Sequence, residues 1–298
     1  MRNFKKIQIL VSDHFLQWRW NPKVMITFLL ALVMCIMLTD KAISFSYRYD
    51  TLLQITEVFV WTFSDGPSVL ISTFLIFILF ADMPFTNGGT AYRVYRTGRT
   101  MWVWGNLFYL CISIILYELF LLFMTILLSF SRSFWGNQWS ETAAMIGYGG
   151  ISEQLSLFTS VRAMEHSAPY YVSVIVFLLV FLYMYWISTL LFLFHLWKKG
   201  LTGILVVITV NLYGVLLNVK ILQKIFHIPD TLSYHANILC GWLSPLNHSL
   251  YSMHSFGYDR LPKIWMSILL LLGLIIFNCF LLQRVIQKYD FSFIQTSE

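Results

Sequence analysis

The sequence predicts an all-α integral membrane protein with six transmembrane helices, an amphipathic interfacial helix ahead of them and a short basic insert between the second and third spans. Three observations predict it. First, 58% of the 298 residues are hydrophobic and 11% are charged, whereas a soluble domain carries roughly 25% charge, and the mean hydropathy is +0.70. Second, apolar runs approaching the roughly 20 residues needed to cross a bilayer recur along the whole chain. Third, Lys and Arg concentrate in alternate connections, as a positive-inside chain requires.

The first element is the amphipathic segment 1–22. Phe4, Ile7, Leu10, Val11, Phe15 and Trp18 recur at three- and four-residue steps, while Lys5, Lys6, Gln8, Ser12, Asp13 and Gln17 take the other side. Such a helix lies in the membrane surface, and Asn21-Pro22 turns the chain into the first span. The apolar run that follows begins only at Val24 and ends in Leu38-Thr39-Asp40 without a small-x-small site, so this leader reads as retained.

The expected spans cover about 24–39, 58–81, 101–130, 169–195, 200–219 and 264–283. The first is short for a free-standing helix, and the second contains Asp65, Gly66 and Pro67, so both are expected to lean on protein or on thinned lipid. The connections that hold Arg2, Lys5, Lys6, Arg19 and Lys23, then Arg93, Arg96 and Arg99, then Lys198 and Lys199, then Arg284 and Lys288 are short and basic. The opposite set, Lys41, Arg48, Arg132, Arg162, Lys220, Lys224, Arg260 and Lys263, is spread over longer loops. This density places both termini inside. The last outer segment, about 220–263, is semi-apolar and broken by Pro229, Gly241 and Pro245, a pattern for short helices dipping into the bilayer against protein.

No linker, repeat or low-complexity tract divides the chain, and 1–298 reads as one domain. The net charge of +6 does not point to nucleic acid, because a phosphate-binding stripe needs an aqueous domain to carry it; lipid headgroups are the expected polyanion. Cys35, Cys111, Cys240 and Cys279 show no ligand spacing and read as small apolar side chains. His227, His235, His248 and His254 fall near Cys240 and could hold a metal, but their spacing matches no ligand pattern and interfacial polar packing is favoured, so no metal ligand is assigned. Trp18, Trp20, Trp61, Trp102, Trp104, Trp135, Trp139, Trp197, Trp242 and Trp265 lie near expected span ends, as an interfacial belt would. His195, beside Trp197 and Lys198, is placed at the inner interface.

Glu118 is the acid that falls well inside a span. A carboxylate there costs several kcal/mol unless paired, protonated or wet. Two readings stay open: a neutral acid hydrogen-bonded to a Tyr or to backbone, and a pathway group contacting cargo. A membrane-embedded enzyme would need a converging acid, base and nucleophile, and no catalytic residue is assigned. The chain contains no phosphate-binding loop; Gly88-Gly89 is followed by no Lys. If ATP drives this protein, another chain binds it.

The insert 82–99 is the most telling stretch. An Asp82-x-Pro84-Phe85 turn leads into Tyr92-Arg93-x-x-Arg96-x-Gly98-Arg99. Together with six spans, inner termini, the leading amphipathic helix and a Trp242-Leu-Ser-Pro245 segment, it resembles the permease subunits of ABC transporters of the type-2 permease (type V exporter) family, small Gram-positive members in particular. The resemblance implies a bacterial plasma-membrane permease that pairs with a second permease, identical or homologous. It also implies cytosolic ATPase subunits that bind ATP and Mg and grip the amphipathic helix and a coupling helix at about 87–99. The cargo would be hydrophobic or amphipathic: a peptide, lipid or drug. Within that implied helix, Pro84 and Phe85 would stiffen the turn, Asp82 would pair with Arg93 or Arg96, and Tyr92, Arg96 and Arg99, at i, i+4 and i+7, would share a docking face.

Overall fold

The computed structural model describes all residues except 1, 82, 84–89, 150–160, 199–201, 228, 258 and 290–298. The chain opens with α1 (Arg2–Trp18). Asn21 then accepts a hydrogen bond from the Lys23 N–H, and Pro22, which has no N–H to leave unpaired, starts α2 (Pro22–Tyr49). This helix runs 28 residues, roughly 42 Å, and passes well beyond the expected end at 39. Charged Asp40 and Lys41 end the apolar run but not the helix; what ends it is Asp50, which adopts a left-handed conformation (φ 48°) and returns its N–H to the Ser46 carbonyl.

Past this cap, β1 (Leu53–Gln54) pairs in parallel with β2 (Ser133–Phe134), in the register Leu53 to Ser133 and Gln54 to Phe134. The expected second span is broken into α3 (Glu57–Thr62) and α4 (Gly66–Phe80). Phe63 caps the end of the first, and Asp65 caps the start of the second by accepting from the Ser68 N–H, with Pro67 in its first turn. At 15 residues, α4 is roughly 22 Å long, shorter than a free-standing span.

The insert contains α5 (Thr90–Thr97), separated by Gly98 from α6 (Arg99–Ser129). Gly98 has φ +87°, a conformation that costs glycine little, and so the chain turns sharply between the two helices. Then come α7 (Glu141–Tyr148), α8 (Val161–His166) and α9 (Pro169–Lys198). The expected fifth span is α10 (Thr202–Leu216), which bends by 85° into α11 (Val219–Phe226). The semi-apolar segment resolves into α12 (Ser233–Leu243) and 3-10 turns over 247–249 and 251–253, before α13 (Ile264–Lys288).

Four helices, α2, α6, α9 and α13, are long and apolar enough to cross a membrane, and the bent pair α10–α11 would make a fifth. A helical membrane protein follows. The core centres on α9, which packs on α13, α10 and α6, while α2 packs on α6 and α4, and α1 lies along α6. Polar pins tie these helices together inside the apolar core: Tyr183 donates to Asn211 Oδ1 (2.9 Å), Asn278 to Thr189 Oγ1 (3.0 Å), and the Ser72 and Tyr117 hydroxyls meet at 3.1 Å. Each such interhelical bond contributes about 0.6 kcal/mol in a bilayer. Apolar side chains that point away from the core, such as Leu29, Val33, Phe123, Leu269 and Ile276, form the outer surface of these same helices. Trp61 and Trp102 are buried in the core, and His195 is buried against Gly203.

Candidate functional site

At one end of the bundle α1, α5 and the first turns of α6 meet. The amphipathic reading of α1 places its apolar stripe on α6: Leu10 is buried, and Val11, Phe15 and Trp18 pack against the core. The fit is close at Gly105, where an added Cβ would stand 2.8 Å from Leu10 Cδ1. Trp18 Nε1–H donates to the Tyr109 hydroxyl (2.8 Å), and the Phe15 ring meets Tyr109 edge-on with centroids 5.3 Å apart. The buried stripe does not extend to Phe4, which is 69% exposed.

His14 is buried against the Tyr109 ring at 4.8 Å. Desolvation is the main cause that lowers its pKa to about 4; the Arg93 guanidinium pushes the same way, while Asp13 and a hydrogen bond with Asn106 oppose it. A histidine buried on a helix expected to float on the membrane had no counterpart in the sequence reading, and its position on the apolar side of the helix was the available signal.

α5 is strapped to α1. Arg93 pairs with Asp13 at 3.6 Å, and Lys6 Nζ donates to the Arg96 carbonyl at 3.3 Å. Val94 is buried, whereas Arg96 is exposed and Tyr95 is 90% exposed. Arg99 does not share a helix with Arg96, as the expected docking face requires. Gly98 breaks the helical register, so Arg99 belongs to α6, and its guanidinium donates to the carbonyls of Ile286 and Gln287 at the end of α13. These are carbonyls of the last helical turn, where the intrahelical ladder runs out; that of Ile286 also accepts from the Tyr289 N–H, and a cation there complements the helix dipole. The side chain of Tyr92, together with Asp82, Pro84 and Phe85, lies outside the described residues. Arg93 pairs with Asp13 at this end, and the expected pairing with Asp82 falls outside the described residues.

Glu118 sits midway along α6, fully buried, and neither carboxyl oxygen has a hydrogen-bond partner among the described residues. The expected bond to a Tyr is not made by its neighbour, because the Tyr117 hydroxyl is directed to Ser72. Glu118 is three turns from Leu107, whose carbonyl accepts from Tyr185 of α9, so helical periodicity puts both on the face toward α9.

At the opposite end a second buried acid escaped the sequence reading. Glu57 accepts from the Gln54 N–H (3.1 Å), the Ser140 N–H (2.6 Å) and the Ser140 hydroxyl (2.6 Å). It joins the β1 turn to the start of α7. Nearby, a cavity of about 230 Å³ opens between Gly66-Pro67 at the start of α4, Asn218 at the α10–α11 elbow, Asn237 of α12 and Asn247. The start of α4 and the α10–α11 elbow thus line one hollow. His227 and His235 are exposed, while His248 and His254 are buried together; among the described residues no three His, Cys, Asp or Glu side chains gather.

Comparison with protein-family models, with curated proteins and with solved structures gives no match. The functional reading therefore rests on the chain's own geometry and on the sequence resemblance.

Proposed function

We propose that this chain is the membrane-spanning subunit of an ATP-driven exporter, a type-2 ABC permease that works as a dimer with separate cytosolic ATPase subunits. In this reading the α1–α5 end is cytoplasmic, α4 and α10 complete the six crossings as short helices supported by their neighbours, and the protein resides in a bacterial cell membrane. The ATPase partners bind ATP and Mg. Cargo is hydrophobic or amphipathic, and Glu118 is the polar contact of the pathway, its missing partner supplied by cargo, by water or by the second permease.

The observation that carries the proposal is the build of α5. A helix of eight residues has little stability of its own, yet this one is braced to α1 through Arg93 and Lys6 while presenting Tyr95 and Arg96 outward. Beyond it, Arg99 links the same corner to the end of α13. A push on α5 would thus reach α1, α6 and α13 together, as a coupling element requires. The test is retention of the ATPase in detergent pulldown. Tyr95→Ala and Arg96→Glu are expected to reduce retention at least tenfold with the permease still folded; unchanged retention would remove α5 as the docking element.

A second reading, a secondary transporter with no ATPase, is favoured by one observation: the start of α4 at Gly66-Pro67 and the α10–α11 elbow at 217–218 line a common hollow, and discontinuous helices form the binding sites of many such carriers. Transport in ATP-free proteoliposomes under an ion gradient would select it.

A further inference from the structure

Buried between the last 3-10 turns and α13 are two histidines that share one serine. His248 Nδ1 lies 2.7 Å from Ser267 Oγ, and His254 Nε2 lies 2.8 Å from the same oxygen. Each ring's other nitrogen faces a backbone carbonyl: His248 Nε2 that of Trp242 (3.2 Å), His254 Nδ1 that of Leu250 (2.9 Å). All three side chains are buried. Carbonyls only accept, so each ring must place an N–H toward its carbonyl, and in a neutral imidazole the other nitrogen is then a bare acceptor. Two bare nitrogens would face a hydroxyl that owns one hydrogen. The chain from carbonyl to carbonyl has four links, and two neutral imidazoles with one hydroxyl hold three protons for it.

We propose that His248, Ser267 and His254 form a binding site for one proton, taken up by the pair as a unit. With it, one ring is an imidazolium that donates to its carbonyl and to Ser267, and Ser267 donates to the second ring; all four links are made. A second proton would leave the hydroxyl between two donors with its own hydrogen unplaced, beside two like charges. The bound proton fastens the segment 247–254 to the start of α13, and its loss leaves one link repulsive.

Burial works against the charge, lowering both rings, His254 to about 4, so uptake falls below the ordinary histidine range near 6.5. The titratable and charged groups on the surrounding elements are His235, Tyr234 and Cys240 of α12, Tyr170, Tyr171, Tyr183, Tyr185, His195 and Lys198 of α9, Arg162, Glu165 and His166 of α8, Cys279, Arg284 and Lys288 of α13, Asp65 at the start of α4, Tyr251, and Asp259, Arg260 and Lys263 before α13. Asp259 is engaged by Arg162 and Tyr234 and Asp65 by the α4 cap, and the charge that acts on His254 is His248 itself. The hydroxyl is therefore what makes room for a single proton.

The test is nitrogen-15 NMR of histidine-labelled full-length protein in lipid nanodiscs, titrated from pH 8 to 3.5, with exposed His227 and His235 as reference resonances. One of the two buried rings is expected to become doubly protonated in a single step while the other stays neutral, with slower amide exchange over 247–254 across the same step. In Ser267→Ala that step should move at least one pH unit lower, a tenfold loss of proton affinity. The proposal is overturned if both rings stay neutral, if they titrate independently, if Ser267→Ala leaves the midpoint in place, or if zinc at neutral pH ligates both rings.

Discussion

Arg99 shows how one residue changes meaning between sequence and structure. On a helical wheel drawn through 92–99 it completes a docking face with Tyr92 and Arg96; with Gly98 at φ +87° it turns back and caps α13. Arg99→Ala should speed amide exchange over the last turn of α13 and cost about 1.5–3 kcal/mol of stability, the usual value of a hydrogen bond to a charged group, while leaving ATPase retention intact. Arg96→Glu should do the reverse. Glu118 invites a different substitution. Because neither oxygen has a hydrogen-bond partner among the described residues, Glu118→Leu should raise the thermal midpoint in detergent, by the roughly 1–3 kcal/mol that an unsatisfied buried polar group costs, and Glu118→Gln should abolish transport. A Glu118→Gln protein that transports normally has no pathway acid. Glu57 could not have been found from the sequence: its main partner, Ser140, is 83 residues away, and nothing local to either marks the pair.

At the scale of elements, α1 has the clearest pH response. His14 titrates near 6.5 when α1 is free and near 4 when it is docked on α6. Between those values the undocked helix binds more protons, so docking gains stability as pH rises and loses it as pH falls from about 6.5 toward 4, by up to about 3 kcal/mol. Hydrogen exchange over residues 6–18 should therefore accelerate across that window, and His14→Phe should flatten the response; a profile that His14→Phe leaves unchanged would place the titration elsewhere. The elements were legible where local chemistry acts alone. Asn21-Pro22 and Asp65-Gly66-Pro67 are start signals, and helices begin there. Helix ends were not legible from hydropathy, as α2 shows by continuing through Asp40 and Lys41, nor was the 85° turn between α10 and α11, where no proline or glycine lies between Leu216 and Val219.

Across the whole molecule, composition and apolar run length led directly to a helical membrane bundle, because lipid demands internally satisfied backbone. They could not show which short helices cross, since α4 and α10 derive their support from packing that only the folded chain reveals. The same holds for α1, whose apolar stripe fits a membrane surface or a protein surface equally well and here lies on α6. In the proposed function α1 and α5 form the grip for a separate ATPase on a dimeric permease. The most direct measurement is native mass spectrometry of the complex purified gently from its own membrane. Two permease-type chains, one at least of 34.9 kDa, are expected together with two chains that carry a phosphate-binding loop; this chain flying alone, or with partners that lack such a loop, would overturn the proposed function.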